Sequence, residues 1–166
     1  MDVVNQTDIV ARNIKHYLEH ENTRDGLLED VETIIKSYRS DDPIDTPCVW
    51  INKQKTVPYE KNNLSNIQSL QTTYEFVCID YDEDLEIAED KCENLAARVL
   101  ASILRNLNNI HENENDPIRI FQKVTLKEWV VGSIPIQGKL DGIPASSVTL
   151  DFVYNIDWLK CRRISS

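Results

Sequence analysis

The sequence predicts an α+β sandwich: a mostly antiparallel sheet of four to five strands, with a long helix and N-terminal helices packed on one face. Three observations carry this expectation. Apolar residues keep a three-then-four spacing from Glu83 to Asn108, which is the period of an amphipathic helix. Runs of β-branched and aromatic residues follow that helix without further helices between them, favouring antiparallel pairing over βαβ crossovers. Ser147–Trp158 alternates strictly apart from Val153, with Val148, Leu150, Phe152, Tyr154 and Ile156 on one side.

The elements follow in chain order. Thr7 or Asp8 caps a first helix reaching Asn22, with Val10, Ile14, Tyr17 and Leu18 on one face. After Gly26 the stripe Leu27, Leu28, Val31, Ile34, Ile35 and Tyr38 predicts a second helix, ended by Ser40-Asp41-Asp42-Pro43. Cys48-Val49-Trp50-Ile51 reads as a strand. The polar stretch Lys53–Thr72 holds only isolated apolar residues such as Val57, Leu64, Ile67 and Leu70, and predicts a long mobile loop. A strand with both faces apolar runs from Thr73 to Tyr81, as expected of a covered central strand. The long helix then begins at Asp84, its expected N-cap, with Leu85, Ala88, Cys92, Leu95, Val99 and Ile103 inward. Three apolar segments close the fold: Ile118–Leu126, Glu128–Ile136 and Ser147–Trp158, the last two joined through a glycine hairpin at Gln137–Gly142. The whole is expected to be one domain: a helical part over residues 1–40 and an α/β sandwich over residues 41–166.

Composition excludes several classes of function. The chain has 166 residues, 18 Lys+Arg against 28 Asp+Glu, and a formal net charge of −10. That balance disfavours general binding to nucleic acid, which needs clustered cations for phosphate neutralisation. No apolar run approaches the ~20 residues of a membrane span. Met1–Gln6 has neither a basic region nor an apolar signal core, which argues against export by that route. Cys48, Cys78, Cys92 and Cys161 form no C-x-x-C pair. They are expected to be reduced and mostly buried thiols, with neither zinc nor redox chemistry.

Few motifs carry chemistry. His16-Tyr17-Leu18-Glu19-His20 matches H-x-x-E-H, in which two imidazoles one helical turn apart hold zinc and a carboxylate activates its water. Both histidines nevertheless lie opposite Val10, Ile14 and Leu18, and so face solvent. The acidic group Asp80, Asp82, Glu83, Asp84, Glu86, Glu89, Asp90 and Glu93 lacks the spacing of a calcium loop and suits the positive end of a helix dipole. Four glycines give neither a P-loop nor a dinucleotide fingerprint, and no serine has a nucleophile-elbow context. No catalytic residue, cofactor or metal is expected.

The order of elements resembles that of the tail terminator, or tail completion, proteins of tailed phages and related head–tail joining proteins. The likeness spans Leu27 to Trp158: a helical lead-in, a strand near Trp50, an exposed loop, a second strand, one long helix and a closing meander. That meander carries Trp129-Val130-Val131-Gly132 and Val148-Thr149-Leu150-Asp151-Phe152. The extra N-terminal helix and the Lys53–Thr72 loop depart from the shorter family members. The resemblance implies a structural virion protein, located in the tail or neck and assembled in the host cytoplasm. It would close into a ring, a hexamer, that caps the tail tube and meets the head connector. Its partners would be copies of itself, the tail tube protein and the connector or neck protein. DNA would pass through the lumen without specific binding, past acidic walls. Expected contact residues are Trp50, Leu64, Ile67, Leu100, Leu104, Leu107 and Trp129, with the long loop ordering on contact. Two other functions fit the composition: an acidic intracellular adaptor for a basic partner, and a small zinc hydrolase using His16, Glu19 and His20.

Overall fold

Alternating and doubly apolar segments pair as strands, and the one long three-then-four stripe forms the helix that covers them. The computed structural model describes residues 11–12, 14–19, 26–36, 45–59, 67–105, 111–113, 116–119, 121–136, 139–157 and 162–164. In chain order these form α1 (residues 14–19), β1 (Thr33–Ile35), β2 (Cys48–Pro58), β3 (Ile67–Ile79) and α2 (Leu85–Arg105). Next come β4 (His111–Asn113), β5 (Asp116–Arg119), β6 (Phe121–Ile136), β7 (Lys139–Asp157) and β8 (Arg162–Ile164). The main sheet has the order β1-β2-β3-β7-β6, with β8 added on β7, while β4 and β5 pair separately. Every pair in the main sheet is antiparallel except β1 with β2. The expected α+β class with a mostly antiparallel sheet therefore holds.

One face of the sheet carries the core. Tyr74, Phe76 and Cys78 of β3, Val148, Leu150, Phe152 and Tyr154 of β7, and Val49 and Ile51 of β2 are buried there. Leu95, Ala96, Val99 and Ile103 of α2 pack onto this layer, and α1 adds Ile14 and Leu18. Phe152 is the hub of an aromatic cluster, with ring centroids 4.9 Å from Phe121, 5.5 Å from Tyr74 and 6.2 Å from Phe76. The other face holds a smaller cluster of Cys48, Val77, Ile79, Ile143 and Ala145, with Ile35 and Trp50 packed beside it. β3 is thus covered on both sides, which explains its doubly apolar sequence.

Helix α2 begins where its cap demands. The Asp84 carboxylate accepts the backbone N–H of Glu86 at 3.0 Å and of Ile87 at 3.3 Å, satisfying donors that the first turn leaves orphaned. Tyr17 of α1 donates its hydroxyl to the Ser102 carbonyl at 3.1 Å, tying the two helices.

Four sequence expectations are corrected. Over its described residues the stripe Leu27–Tyr38 is not a second helix: residues 27–30 form a turn and Thr33–Ile35 is strand β1, parallel to β2, while Tyr38 lies outside the described residues. Arg98 clamps that turn by donating to the Leu27 carbonyl at 3.0 Å and forking onto the Asp30 carboxylate. The β-branched run Val31, Thr33, Ile34, Ile35 then favours extended backbone. The predicted loop Lys53–Thr72 is largely a two-stranded ribbon, since β2 runs to Pro58 and β3 starts at Ile67. Among the described residues no helix packs on the outer part of β2, and polar pairs occur there, such as Thr56 with Thr72 at 2.9 Å between hydroxyl oxygens. Ile118–Leu126 and Glu128–Ile136 are not two separate strands: Ile118 and Arg119 lie in β5, and Phe121–Ile136 is the single strand β6, bulged between Leu126 and Glu128. Finally, β7 starts at Lys139 rather than Ser147, so Gly142 lies within a strand. It takes a φ of +71° where the register of β6 and β7 shifts, the conformation a bulge requires and glycine accepts.

Candidate functional site

Positions beneath α2 are well packed; the exposed apolar residues lie on α2 itself, at Leu85, Ile87 and Leu104, at Tyr81 before it, and along the two borders of the sheet. β6 is the last strand of its sheet, and Leu126, Trp129, Val130 and Val131 are 41–46% exposed along it. Pairing of Trp129 with Val148 and of Val131 with Ser146 places both on the helix side, while Val130, opposite Ser147, faces away. Trp129 donates its indole N–H to the buried Ser146 hydroxyl at 3.0 Å, which fixes the ring at the rim. Beside it lies a shallow groove formed by Trp129 and Val131 on β6 with Asp90, Glu93 and Asn94 on α2. The other border is β2. It pairs with β1 only through Cys48–Trp50, and beyond them its outer edge has no strand partner among the described residues. Val57 is 36% exposed there, and Tyr59, just past the strand end, is 41% exposed.

The sequence-derived contact residues divide. Trp129 and Leu104 are exposed, but more than two helical turns of α2 separate Leu104 from the groove residues Asp90, Glu93 and Asn94. Leu100 is partly buried against the main core, and Trp50 against the smaller cluster. Ile67 opens β3, paired with Asp157, with its side chain outside the described residues. Leu64, Leu107, His20 and the side chain of Cys161 lie outside them too. Sequence reasoning missed Leu126, Val130 and Val131 as surface residues. Three consecutive apolar residues, Trp129 to Val131, in one strand were the available signal, because one of the two faces must then be solvent-exposed or partner-covered.

Glu19 pairs with Lys15 at 3.6 Å on α1, and His16 is exposed. Among the described residues no group of three His, Cys, Asp or Glu is placed to hold a metal. Asp82 accepts the Asp84 N–H and the Lys91 ammonium, each at 3.0 Å, and these bonds hold its carboxyl below the usual range. Burial pushes Asp80 up instead, and Asp30 is held down by its hydrogen bond from Arg98. Cys48, Cys78 and Cys92 are free, buried thiols: Cys78 on the helix side of the sheet, Cys92 on α2, and Cys48 on the other face of the sheet. Loss of solvation pushes Cys48 up to about 11 and raises the other two, so none is a nucleophile near neutrality. No described helix is long and apolar enough to cross a membrane. Comparison of the chain with protein-family models and with curated proteins gives no match.

Proposed function

We propose that this chain is a structural ring-forming protein of the tail terminator type. It would stop tail-tube growth at the head-proximal end and present a surface to the head connector. The observation that supports this reading most is the pair of apolar-bearing borders at opposite ends of one sheet. A ring requires two different patches per subunit related by a closing rotation, and one sheet open at both ends supplies them. The net charge of −10 suits a lumen through which DNA slides without sticking. The acidic groove beside Trp129 also fits an adaptor that binds a basic, apolar-tipped partner, and that reading stands second.

The test is direct. Negative-stain images of the purified protein should show annular particles, and adding it to growing tail tubes should arrest them at shorter, narrower lengths. Tubes that lengthen as fast with the protein as without it would remove the terminator reading. A salt-sensitive 1:1 complex with a basic protein, formed without any annular particle, would favour the adaptor.

A further inference from the structure

The two open borders match each other in strand direction, in apolar content and in charge. β2, β3, β7 and β6 are successive antiparallel neighbours, so β6 runs opposite to β2. A second copy placed alongside in the same orientation therefore brings its β2 antiparallel to β6, with the helix sides of both sheets aligned. Register across each sheet then decides which side chains meet. Lys53 lies opposite Tyr74 and Thr56 opposite Thr72, on the helix side, whereas Lys55 and Val57 lie on the far side. On β6 the helix side carries Leu126, Trp129 and Val131, and the far side carries Glu128 and Val130. Joined, Lys53 of one copy approaches the Asp90 and Glu93 carboxylates above Trp129. With Lys53 set beside Val131 and that groove, antiparallel pairing places Lys55 opposite Val130 and Val57 opposite Glu128 on the other face, so that Lys55 meets Glu128 diagonally.

We propose that copies of this chain associate head to tail by sheet continuation, the outer edge of β2 in one subunit pairing with the edge of β6 in the next. This deepens the ring reading by naming the subunit contact. A two-fold pairing of β6 with β6 is the competing geometry, and charge opposes it. It would set the acidic α2 face of one copy against that of the other, and it would leave Val57 and Tyr59 uncovered. Continuation also covers the edge of β6 and the outer edge of β2 beyond Trp50, strand edges that are otherwise templates for uncontrolled aggregation.

A head-to-tail contact has a signature that a two-fold contact lacks. One variant carries Trp129→Glu with Val131→Glu to block β6; another carries Val57→Glu with Tyr59→Glu to block β2. Light scattering after size exclusion should show wild type as an oligomer, each variant alone as a monomer, and their equimolar mixture as a heterodimer closed by the one intact contact. Circular dichroism checks that both variants fold. A charge exchange serves as the second test. Asp90→Lys with Glu93→Lys should dissociate the assembly, and adding Lys53→Glu with Lys55→Glu in the same chain should restore it. A wild type monomeric at every concentration, a β2-blocked variant as oligomeric as wild type, or a mixture that stays monomeric would each overturn the proposal. Annular particles that persist in both blocked variants would also overturn it while leaving the ring reading in place. Head-to-tail assemblies with no effect on tube length would instead remove the terminator reading alone.

Discussion

Replacing Phe152 by alanine removes the ring on which three others converge. Its side chain has no solvent exposure, it lies in the C-terminal half of β7, and it contacts rings of β3 and β6 at once. Surrounding strands hold those rings in register, so the site cannot collapse to fill the space. A buried Phe→Ala change with such a residual cavity costs roughly 3–5 kcal/mol. Set against a total of roughly 0.05–0.15 kcal/mol per residue, that is a large share of the stability of this chain. With a urea slope of ~2 kcal/mol per molar, the unfolding midpoint should fall by about 1.5–2.5 M at unchanged slope. Phe152→Leu keeps most of the volume and should lose less than half as much. The assay is equilibrium urea unfolding followed by far-ultraviolet circular dichroism at a single protein concentration. A loss under about 1.5 kcal/mol for Phe152→Ala, the range of a conservative core swap, would refute the placement of this ring at the heart of the core.

Further outcomes follow from individual contacts. Asp84→Ala should destabilise by about 1 kcal/mol through loss of the α2 cap, read as a lower thermal midpoint, while Asp84→Asn should recover most of it. Trp129→Phe keeps an aromatic ring at the rim and removes the donor to Ser146; a loss of about 1 kcal/mol in urea unfolding is expected. Arg98 holds the folded Asp30 carboxyl below its ordinary 3.8, so the stability from that contact is present above that pH and lost as pH falls through the lowered value. The pair is half exposed and contributes under ~1 kcal/mol, so Arg98→Gln should flatten the acid limb of a stability–pH curve only slightly. In a Cys161→Ser background, Cys48, Cys78 and Cys92 should resist a thiol reagent at pH 8 and react on denaturation; fast labelling of the folded protein would contradict their burial.

Elements with one buried side could be read from the residues alone. α2 showed its period and its Asp84 cap, and the stretch of β7 from Val148 to Tyr154 alternated because α2 covers one face of it. Where cover is missing, the signal fails. The outer half of β2 is exposed on both faces, so its residues are those of a loop even though they are paired. β1 was hidden for another reason: Leu28, Val31 and Ile34 are all buried and three apart, and that spacing imitates a helix. The bulge at Lys127 split β6 into two apparent strands by breaking its alternation. Trp129 stood out as a contact residue, but its neighbours Asp90 and Glu93 did not. They reach it only through the packing of α2 against the sheet, which leaves no local mark in sequence.

The position of β7 between β3 and β6 also governs how the chain is made. Its partners in β3 precede it by many residues, Leu70 meeting Tyr154 and Cys78 meeting Ser146. Between the end of β3 and the start of β7 lie 59 residues, which take roughly 3–12 s to translate at ~5–20 residues per second. For that interval the nascent β2–β3 ribbon and α2 have no central neighbour and cannot close their shared interior. Yield in a foreign host should therefore respond to elongation rate and to holdase chaperones more than to growth temperature.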